Sequence, residues 1–449
     1  MLAYSNGFQL CRPRPVLAVL YALAASALLC YPTWPGLMSF DSLFAYKESL
    51  EGIVTAVWPP AQAYSFYLSR AAGAGVWGVF IGQAFILLFS AALIFSMAFR
   101  TIAAVVTALL VFSLAFVWFP TLWGTFGVLW KDVTTTSFAL LGLALWLLAI
   151  RTVSYAWLVA GAAAFAVHVA LRYNAFPLTF FVMALMAACP FGFVRRPNAR
   201  LITSAVLLGG LGLAFISMKV RLPDFRVLPS GTGLSAVQEF DLLGISACEG
   251  VNLLPPGVSD GAPVSAADLQ QLYDPRHVQL AFRHVPGVPV LLETDADGAV
   301  ESTWFSIVPQ HVGCYLKHRM AVFREQMGLS GPVFYPTHPG IDANDYGLAL
   351  AHPALTTEWV GYILRSSNSP FRRAYLLYGL AILGVIAALF RRVPNRLLLS
   401  ALLFGAMAYP CTLFFVGPAA DARYIFPSNV FCVLLIIVSF GAVARTARR

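Results

Sequence analysis

The sequence predicts an all-α polytopic membrane protein of about ten transmembrane helices, with one large α-rich domain outside the membrane. Of its 449 residues, 59% are hydrophobic and only 11% are charged, whereas soluble domains carry about 25% charged residues. Apolar runs approaching the length of about 20 residues that crosses a bilayer recur along the chain. The short segments between these runs carry basic residues and acidic residues in turn, which also indicates repeated crossing of a membrane.

Ten apolar runs predict the spans. The first follows Arg12 and Arg14 in the manner of a signal peptide, but further runs follow it, so we expect an uncleaved first span. The predicted spans are 16–32, 76–99, 102–119, 133–150, 153–171, 175–193, 201–218, 374–390, 397–416 and 425–444. The expected organisation is therefore a transmembrane core at 1–218 that includes a first outer loop at 33–75, an extracytoplasmic domain at 219–373, and C-terminal helices at 374–449.

The distribution of charge predicts the orientation. The loops on one side carry only basic residues, and all 20 acidic residues lie on the other side. Because cytoplasmic loops are rich in Lys and Arg, both termini should be cytoplasmic and the large domain extracytoplasmic. The basic residues form short clusters between apolar runs rather than one continuous patch, so the net charge of +9 does not indicate a nucleic-acid partner. The basic side holds Arg12, Arg14, Arg100, Arg151, Arg195, Arg196, Arg200, Arg391, Arg392, Arg396, Arg445, Arg448 and Arg449.

The polar segments have helical patterns of their own. In the first outer loop, two short helices are predicted at 42–53 and 61–72, separated by Pro59-Pro60 and lying along the membrane surface. In the outer domain, helices are predicted at 266–273 and 307–327. The second of these is amphipathic and carries His311, Lys317, His318 and Arg319. We expect that basic face to be solvated, the alternative being that it leans over the membrane.

The seven cysteines do not suggest a zinc site, since no CxxC or Cys/His spacing is present. Cys248 and Cys314 are the two that lie in the long polar segment. If that segment faces an oxidising compartment, they are a candidate disulfide. The remaining cysteines lie in or beside apolar runs and are expected to pack as small apolar side chains.

Ionisable residues recur at the predicted outer ends of the spans, and such residues near a membrane often mark function. Clustered Lys and Arg side chains suit a phosphate at the headgroup level, and a carboxylate beside them suits a general base. The pattern predicts transfer of a group from a lipid phosphate to an alcohol. Taken singly, Lys131 and Arg172 could snorkel at helix ends, and Asp421 could form a local ion pair with Arg423. Asp41 could be a helix N-cap. The residues are Asp41, Lys131, Asp132, Arg172, Asp421 and Arg423.

The stretch Phe40-Asp41-Ser42, with Tyr46, Gly52 and Trp58-Pro59-Pro60 after it, resembles the first-loop motif of bacterial GT-C glycosyltransferases. This superfamily includes protein mannosyltransferases and lipid A aminoarabinose transferases, which use polyprenyl-phosphate-linked sugars. Trp130-Lys131-Asp132, Arg172-Tyr173-Asn174 and Arg423-Tyr424 also resemble recurring segments of bacterial relatives. The chain differs from the motif in two places, with Ser42 in place of a second acid and Trp58 where many relatives have His.

The resemblance implies roles for these residues. Asp41 would be the catalytic base, and Lys131, Arg172 and Arg423 would hold the donor phosphate. Asp132 would be a second carboxylate or a ligand of a divalent metal, Mg²⁺ or Mn²⁺, although no cofactor is required by the pattern. Aromatic side chains would shape the groove for sugar and lipid, since sugars stack on aromatic faces. These are Tyr46, Trp58, Tyr64 and Tyr424.

The expected function is a glycosyltransferase of the bacterial inner membrane. It would move a sugar from a polyprenyl phosphate to a hydroxyl of an envelope lipid, glycan or protein at the periplasmic face. A transporter or flippase of a lipid-linked sugar is one alternative, for which His168 is the main polar residue within a span. An envelope-glycan polymerase or ligase is another, for which the outer-domain arginines Arg276, Arg283, Arg319 and Arg324 would serve.

Overall fold

The computed structural model describes residues 10–55, 59–180, 222, 224–228, 234–256, 264–276 and 298–447, and these are mostly helical. The helices of the N-terminal half are α1 Pro15–Cys30, α2 Phe40–Glu51, α3 Ala61–Ala71, α4 Gly75–Ala98, α5 Ile102–Trp118, α6 Pro120–Phe126, α7 Lys131–Thr152 and α8 Tyr155–Leu171. The later helices are α9 Ser235–Glu249, α10 Ala266–Leu272, α11 Ala299–Ile307, α12 Val312–Gln326, α13 Pro353–Ser367, α14 Ala374–Phe390, α15 Arg396–Val416 and α16 Phe426–Ala447.

Five helical segments in this described part are long and apolar enough to cross a bilayer, namely Pro15–Thr33, Gly75–Ala98, Lys131–Thr152, Arg396–Val416 and Ala422–Ala447. Helices α5 and α6 would make a sixth span if taken together, but the chain bends by 89° between them. Helices α8 and α14 are apolar but shorter. A polytopic helical fold is therefore supported, while the number of ten spans stays a prediction. The seventh predicted span, 201–218, and most of the sixth, 175–193, lie outside the described residues.

The long helices pack into one hydrophobic core. Helix α4 lies between α1 and α7, α7 packs along α8, and α16 packs against both α14 and α15. The close approach of α7 and α8 depends on Gly142, because a Cβ atom there would lie 2.8 Å from the ring of Phe165. Such a contact has no room for a larger side chain, so glycine at this position sets the helix separation.

The bundle has two chemically different ends. At one end the Arg14 side chain donates to the carbonyl of Phe99 at 3.3 Å, and the Arg445 guanidinium lies 5.0 Å from the centre of the Phe99 ring. At the other end lie the N-termini of α7 and α16 and the first turn of α2. A helix as long as α16 separates its two termini by about 30 Å. The acidic residues near the helix ends are thus far from the arginine-rich end.

The polar segment after residue 234 forms a helical cluster that contacts the long helices. The helix predicted at 307–327 corresponds to α12, which begins five residues later at Val312, while α11 ends at Ile307. The expectation of a solvated basic face on it is wrong for His318 and Arg319, which are both buried. Asp241 of α9 contacts both side chains, since its carboxylate forms an ion pair with Arg319 and lies 3.4 Å from His318 Nε2.

Arg319 also ties this outer cluster to the transmembrane helices. Its Nη1 donates to the carbonyl oxygen of Gly417, directly after α15, at 2.7 Å, and its Nη2 donates to Asp241 at 2.7 Å. Within the cluster, Cys248 of α9 and Cys314 of α12 form a disulfide, so this predicted pairing is confirmed.

A small parallel sheet, which the all-α prediction did not include, joins the first outer loop to the later chain. Strand β1, Ile53–Thr55, pairs with β2, Arg226–Leu228. The turn into β1 requires glycine, because Gly52 has a φ of +65° and a Cβ atom there would lie 2.7 Å from the carbonyl oxygen of Asp224. The sheet fixes the C-terminal end of α2.

Candidate functional site

Helix α2 presents Asp41 at the end of the bundle. Ser39 is the N-cap residue and Asp41 lies in the first helical turn, so the alternative that Asp41 is itself the N-cap is wrong. Two hydrogen bonds fix the start of the helix against the segment before α7. The Trp130 Nε1 donates to the Ser39 hydroxyl at 2.8 Å, and the Ser42 hydroxyl donates to the carbonyl of Leu129 at 3.0 Å.

Arg423 connects two carboxylates at this end. Its Nη1 lies 2.5 Å from Asp41 Oδ2, and its Nε lies 3.2 Å from Asp421 Oδ2. The guanidinium also stacks on aromatic rings, with its carbon atom 4.8 Å from the centre of the Trp130 ring and 5.1 Å from that of Tyr424. The arginine side chain is therefore held in place by both charge and stacking.

A second ion pair, between Arg172 and Asp132, lies next to the first. Both residues are buried, and the two side chains are in direct contact. Arg172 Nε also donates to Asn174 Oδ1 at 2.7 Å. The Arg172 guanidinium lies 4.7 Å from the centre of the Tyr424 ring. Tyr424 thus contacts both arginines and links the two ion pairs, as part of the site rather than as an exposed stacking surface.

A small pocket that opens to solvent lies beside the Asp41–Arg423 pair. Its charged and amide residues are Asp41, Glu48, Gln62, Lys131 and Arg423, and its other walls include Phe44, Pro59, Leu129 and Trp130. Lys131, at the first residue of α7, adds a second cation to the same pocket. The arrangement combines a few polar groups with apolar and aromatic walls, which is typical of a small-molecule site.

The two carboxylates of α2 that line the pocket differ in their electrostatic surroundings. Burial by itself raises the pKa of Asp41, but the charges of Arg423, Lys131 and Arg172 outweigh it and the pKa lies below the ordinary 3.8. Burial raises the pKa of Glu48 above its ordinary 4.5 despite its hydrogen bonds from Thr55. Burial also raises the pKa of Asp421. Asp41 is therefore the firmly ionised member of the group.

The loop at 335–342 lies against the site. Met38 donates its backbone N–H to Gly340, and Asp342 donates its own to Met38. His338 contacts the Tyr335 hydroxyl at 2.5 Å and Asp342 Oδ1 at 3.0 Å. Burial lowers the pKa of His338, which favours the neutral ring. The loop buttresses the chain just before Asp41.

Several residues predicted from the sequence take other positions. Tyr46 packs edge-on against Phe66 and Tyr346, and Tyr64 packs edge-on against Phe225; neither is among the residues lining the pocket. Trp58 lies outside the described residues. His168 is buried and contacts Thr135 of α7 at 2.8 Å, so it joins two packed helices.

The arginines considered for a polymerase or ligase are dispersed. Arg276 pairs with the neighbouring Asp274 on the surface. Arg319 is buried against Asp241, and Arg324 lies on an exposed part of α12. Arg283 lies outside the described residues.

The sequence-based prediction of the site missed several residues of the pocket, among them the polar Glu48 and Gln62 and the aromatic Trp130. A signal for Glu48 was present, because it follows Asp41 by seven residues and positions two turns apart share one helix face. No comparable signal existed for Gln62, because it lies on α3 and reaches the pocket only through the packing of α3 on α2.

The described carboxylates near the site do not form an open metal centre. Asp132 contacts Arg172, and Asp41 and Asp421 both contact Arg423. No group of three or more His, Cys, Asp or Glu residues within the described ranges is arranged to hold a metal ion. Since each of these carboxylates already faces a guanidinium, the donor set does not fit a divalent cation, and we derive no step through one.

No protein-family model, curated protein or solved structure matches this chain.

Proposed function

We propose that the protein is a membrane glycosyltransferase that moves a sugar from a polyprenyl-phosphate donor to a hydroxyl of an envelope lipid, glycan or protein. The observation that carries the proposal is the pocket itself, in which Arg423 and Lys131 lie beside the ionised carboxylate of Asp41. Two cations suit a lipid phosphate, and a carboxylate next to them suits the removal of a proton from an acceptor.

The Asp41–Arg423 ion pair implies an order of events. A donor phosphate entering the pocket would compete with Asp41 for the Arg423 guanidinium, while Asp421 would continue to hold Arg423 in position. Because Arg423 is the main charge that lowers the pKa of Asp41, its transfer to the phosphate makes Asp41 a stronger base. Donor binding would thus activate the carboxylate before the acceptor reacts.

The transfer step then needs only this chain's side chains. The acceptor oxygen attacks the anomeric carbon of the sugar, and its proton passes to the carboxylate of Asp41. The bond between the anomeric carbon and the phosphate oxygen breaks, and the bonding electrons leave with polyprenyl phosphate. Lys131 and Arg423 stabilise the charge on the departing phosphate. The oxygen is expected to attack from the face opposite the phosphate, which gives inversion at the anomeric carbon.

We propose that the site faces the extracytoplasmic side of a bacterial inner membrane, where a lipid-linked sugar would meet an envelope acceptor. The arginine-rich end of the bundle, with Arg14, Arg100 and Arg445, would face the cytoplasm according to the distribution of charge in the sequence. The outer cluster tied to α15 by Arg319 would then be periplasmic, where the Cys248–Cys314 disulfide is stable.

The deciding experiment measures transfer by protein reconstituted in lipid, supplied with radiolabelled polyprenyl-phosphate sugars and an envelope extract. Asp41→Asn keeps the size and hydrogen-bonding capacity of the side chain but removes the base, so transfer should fall at least about 100-fold. Glu51→Gln is the matched control, because Glu51 lies on the same helix, does not line the pocket and pairs with exposed Lys47. Equal transfer by wild type and Asp41→Asn would exclude Asp41 as the base, and absence of donor binding to wild type would contradict the proposed function.

A further inference from the structure

The pocket continues beyond the Asp41–Arg423 pair to polar groups that the proposed transfer step does not use. Glu48 lies two turns along α2 from Asp41, which places the two Cα atoms about 10 Å apart. Gln62 of α3 lines the same pocket. The pocket therefore has a cationic part, made by Lys131 and Arg423, and beside it the carboxyl group of Glu48 and the amide group of Gln62.

Gln62 is buried, and its amide has no hydrogen-bond partner in the described part of the chain. Its side chain is 5% exposed, and neither its amide nitrogen nor its amide oxygen hydrogen-bonds to another residue of the described chain. A buried amide left unpaired destabilises a protein, so such groups in native structures need a reason. A glutamine amide offers two N–H donors and an oxygen acceptor. A ligand with polar groups in the pocket would supply the missing partners.

Glu48 is held in a fixed position on the same wall. Its Oε1 accepts a hydrogen bond from the backbone N–H of Thr55 at 2.7 Å and another from the Thr55 hydroxyl at 3.2 Å. Since Thr55 belongs to β1, the small sheet positions this carboxyl group. A carboxyl group is a poor neighbour for a phosphate but a good partner for a hydroxyl, which can donate to it.

We propose that Gln62 and Glu48 form the subsite that recognises the transferred group through hydrogen bonds to its hydroxyls. This inference rests on the proposed function, because it assigns the phosphate to the cationic part of the pocket. Phe44, which also lines the pocket, adds an apolar aromatic surface for a ring that has polar edges and apolar C–H faces. The transferred group is therefore a sugar with free hydroxyl groups.

The test compares binding of two ligands to protein in lipid nanodiscs: a short polyprenyl phosphate, and the same lipid phosphate carrying a hexose. Wild type should bind the hexose-bearing lipid more tightly. Gln62→Leu should weaken that binding about tenfold or more and leave binding of the bare lipid phosphate unchanged, because only the sugar contacts the amide. Glu48→Gln should weaken it as well. Gln326→Leu is the matched control, since Gln326 is also buried but does not line this pocket.

Thermal unfolding separates recognition from a structural role. Because the Gln62 amide has no hydrogen-bond partner to lose among the residues that the structure describes, Gln62→Leu should unfold at the wild-type temperature or above it. Gln62→Met serves if the leucine variant does not fold. Equal binding of the hexose-bearing lipid by wild type and Gln62→Leu would overturn the inference. So would an equal loss of affinity of Gln62→Leu for the two ligands. Either outcome would leave the proposed function standing. If wild type bound neither ligand, both proposals would fail.

Discussion

Arg423 and Asp41 lie far apart in the sequence, yet their side chains form an ion pair with a 2.5 Å contact between Nη1 and Oδ2. The pair lies at the mouth of the pocket and both side chains are largely buried, with exposed fractions of 9% and 18%. An ion pair in such surroundings depends on each partner, because removing one leaves an uncompensated charge. Asp421 shares the same guanidinium, so three ionised groups are coupled.

Replacing Arg423 should therefore destabilise the fold as well as weaken donor binding. Arg423→Gln leaves Asp41 and Asp421 without their cation, and we expect the free energy of unfolding to fall by about 3 kcal/mol. Denaturant titration of the protein in detergent measures this loss. Arg365→Gln, on an exposed part of α13, is the control and should change stability by less than about 0.5 kcal/mol. A stable Arg423→Gln protein would show that the ion pair contributes little.

The buried pair of Arg172 and Asp132 should behave as one unit. Arg172→Met or Asp132→Asn alone should each reduce stability by about 3–5 kcal/mol, because either leaves its partner's charge or hydrogen-bonding groups buried without the ion pair. The double variant should be more stable than the sum of the two losses predicts, since neither charge remains. A double-mutant cycle by denaturant unfolding gives the coupling energy. Additive losses would contradict direct coupling.

Asp41 and Glu48, the two pocket carboxylates of α2, should make the free energy of unfolding change with pH in opposite directions. The folded-state pKa of Asp41 is below 3.8, so its contribution is present above pH 3.8 and is lost as the pH falls through the folded-state pKa. The folded-state pKa of Glu48 is above 4.5. The folded protein then binds the Glu48 proton more tightly, and stability falls as the pH rises from 4.5 through the folded-state pKa.

Unfolding midpoints measured against pH check both signs. Asp41→Asn should flatten the acid side of the profile below pH 3.8. Glu48→Gln should remove the fall above pH 4.5, because glutamine keeps an oxygen acceptor for Thr55 but does not ionise. If Glu48→Gln gave the same slope as wild type above pH 4.5, the raised pKa of Glu48 would be wrong.

The Cys248–Cys314 disulfide should stabilise the outer helical cluster. It closes a chain segment with a sequence separation of 66, so replacing both cysteines by serine should lower stability by about 2–5 kcal/mol. Thermal unfolding with and without a reductant measures the effect, and the reductant should not shift the serine variant further. Cys411→Ser, at an exposed free cysteine, is the control. An unchanged melting temperature after reduction would contradict the prediction.

Much of the architecture follows from the sequence because hydrophobic length is a local property. A run such as Gly75–Ala98 is apolar throughout, so it forms a helix and becomes buried whatever it packs against. The helices α2 and α3 of the first outer loop were also predictable, because each has a continuous helical pattern and Pro59-Pro60 breaks the chain between them. The bend between α5 and α6 was not predicted, because it depends on how two short segments pack.

The meeting of Asp41, Lys131, Arg172 and Arg423 could be anticipated as well. The sequence predicts each of them at or near the outer end of a span, and a bundle of antiparallel helices collects such ends. The sequence does not show which of these charges pair. Arg172 contacts Asp132, and Arg423 contacts Asp41, because of the way α2, α7 and α16 are arranged side by side.

The sequence by itself determined that the chain is an apolar helical protein with acids and bases separated along it, because composition and run length depend on local chemistry alone. Only the tertiary structure decided that His318 and Arg319 are buried on Asp241, and that Gln62 faces the pocket beside Glu48. These outcomes depend on partners distant in sequence. The free energy of a buried polar group is set by what surrounds it in space, and periodicity along the chain does not contain that information.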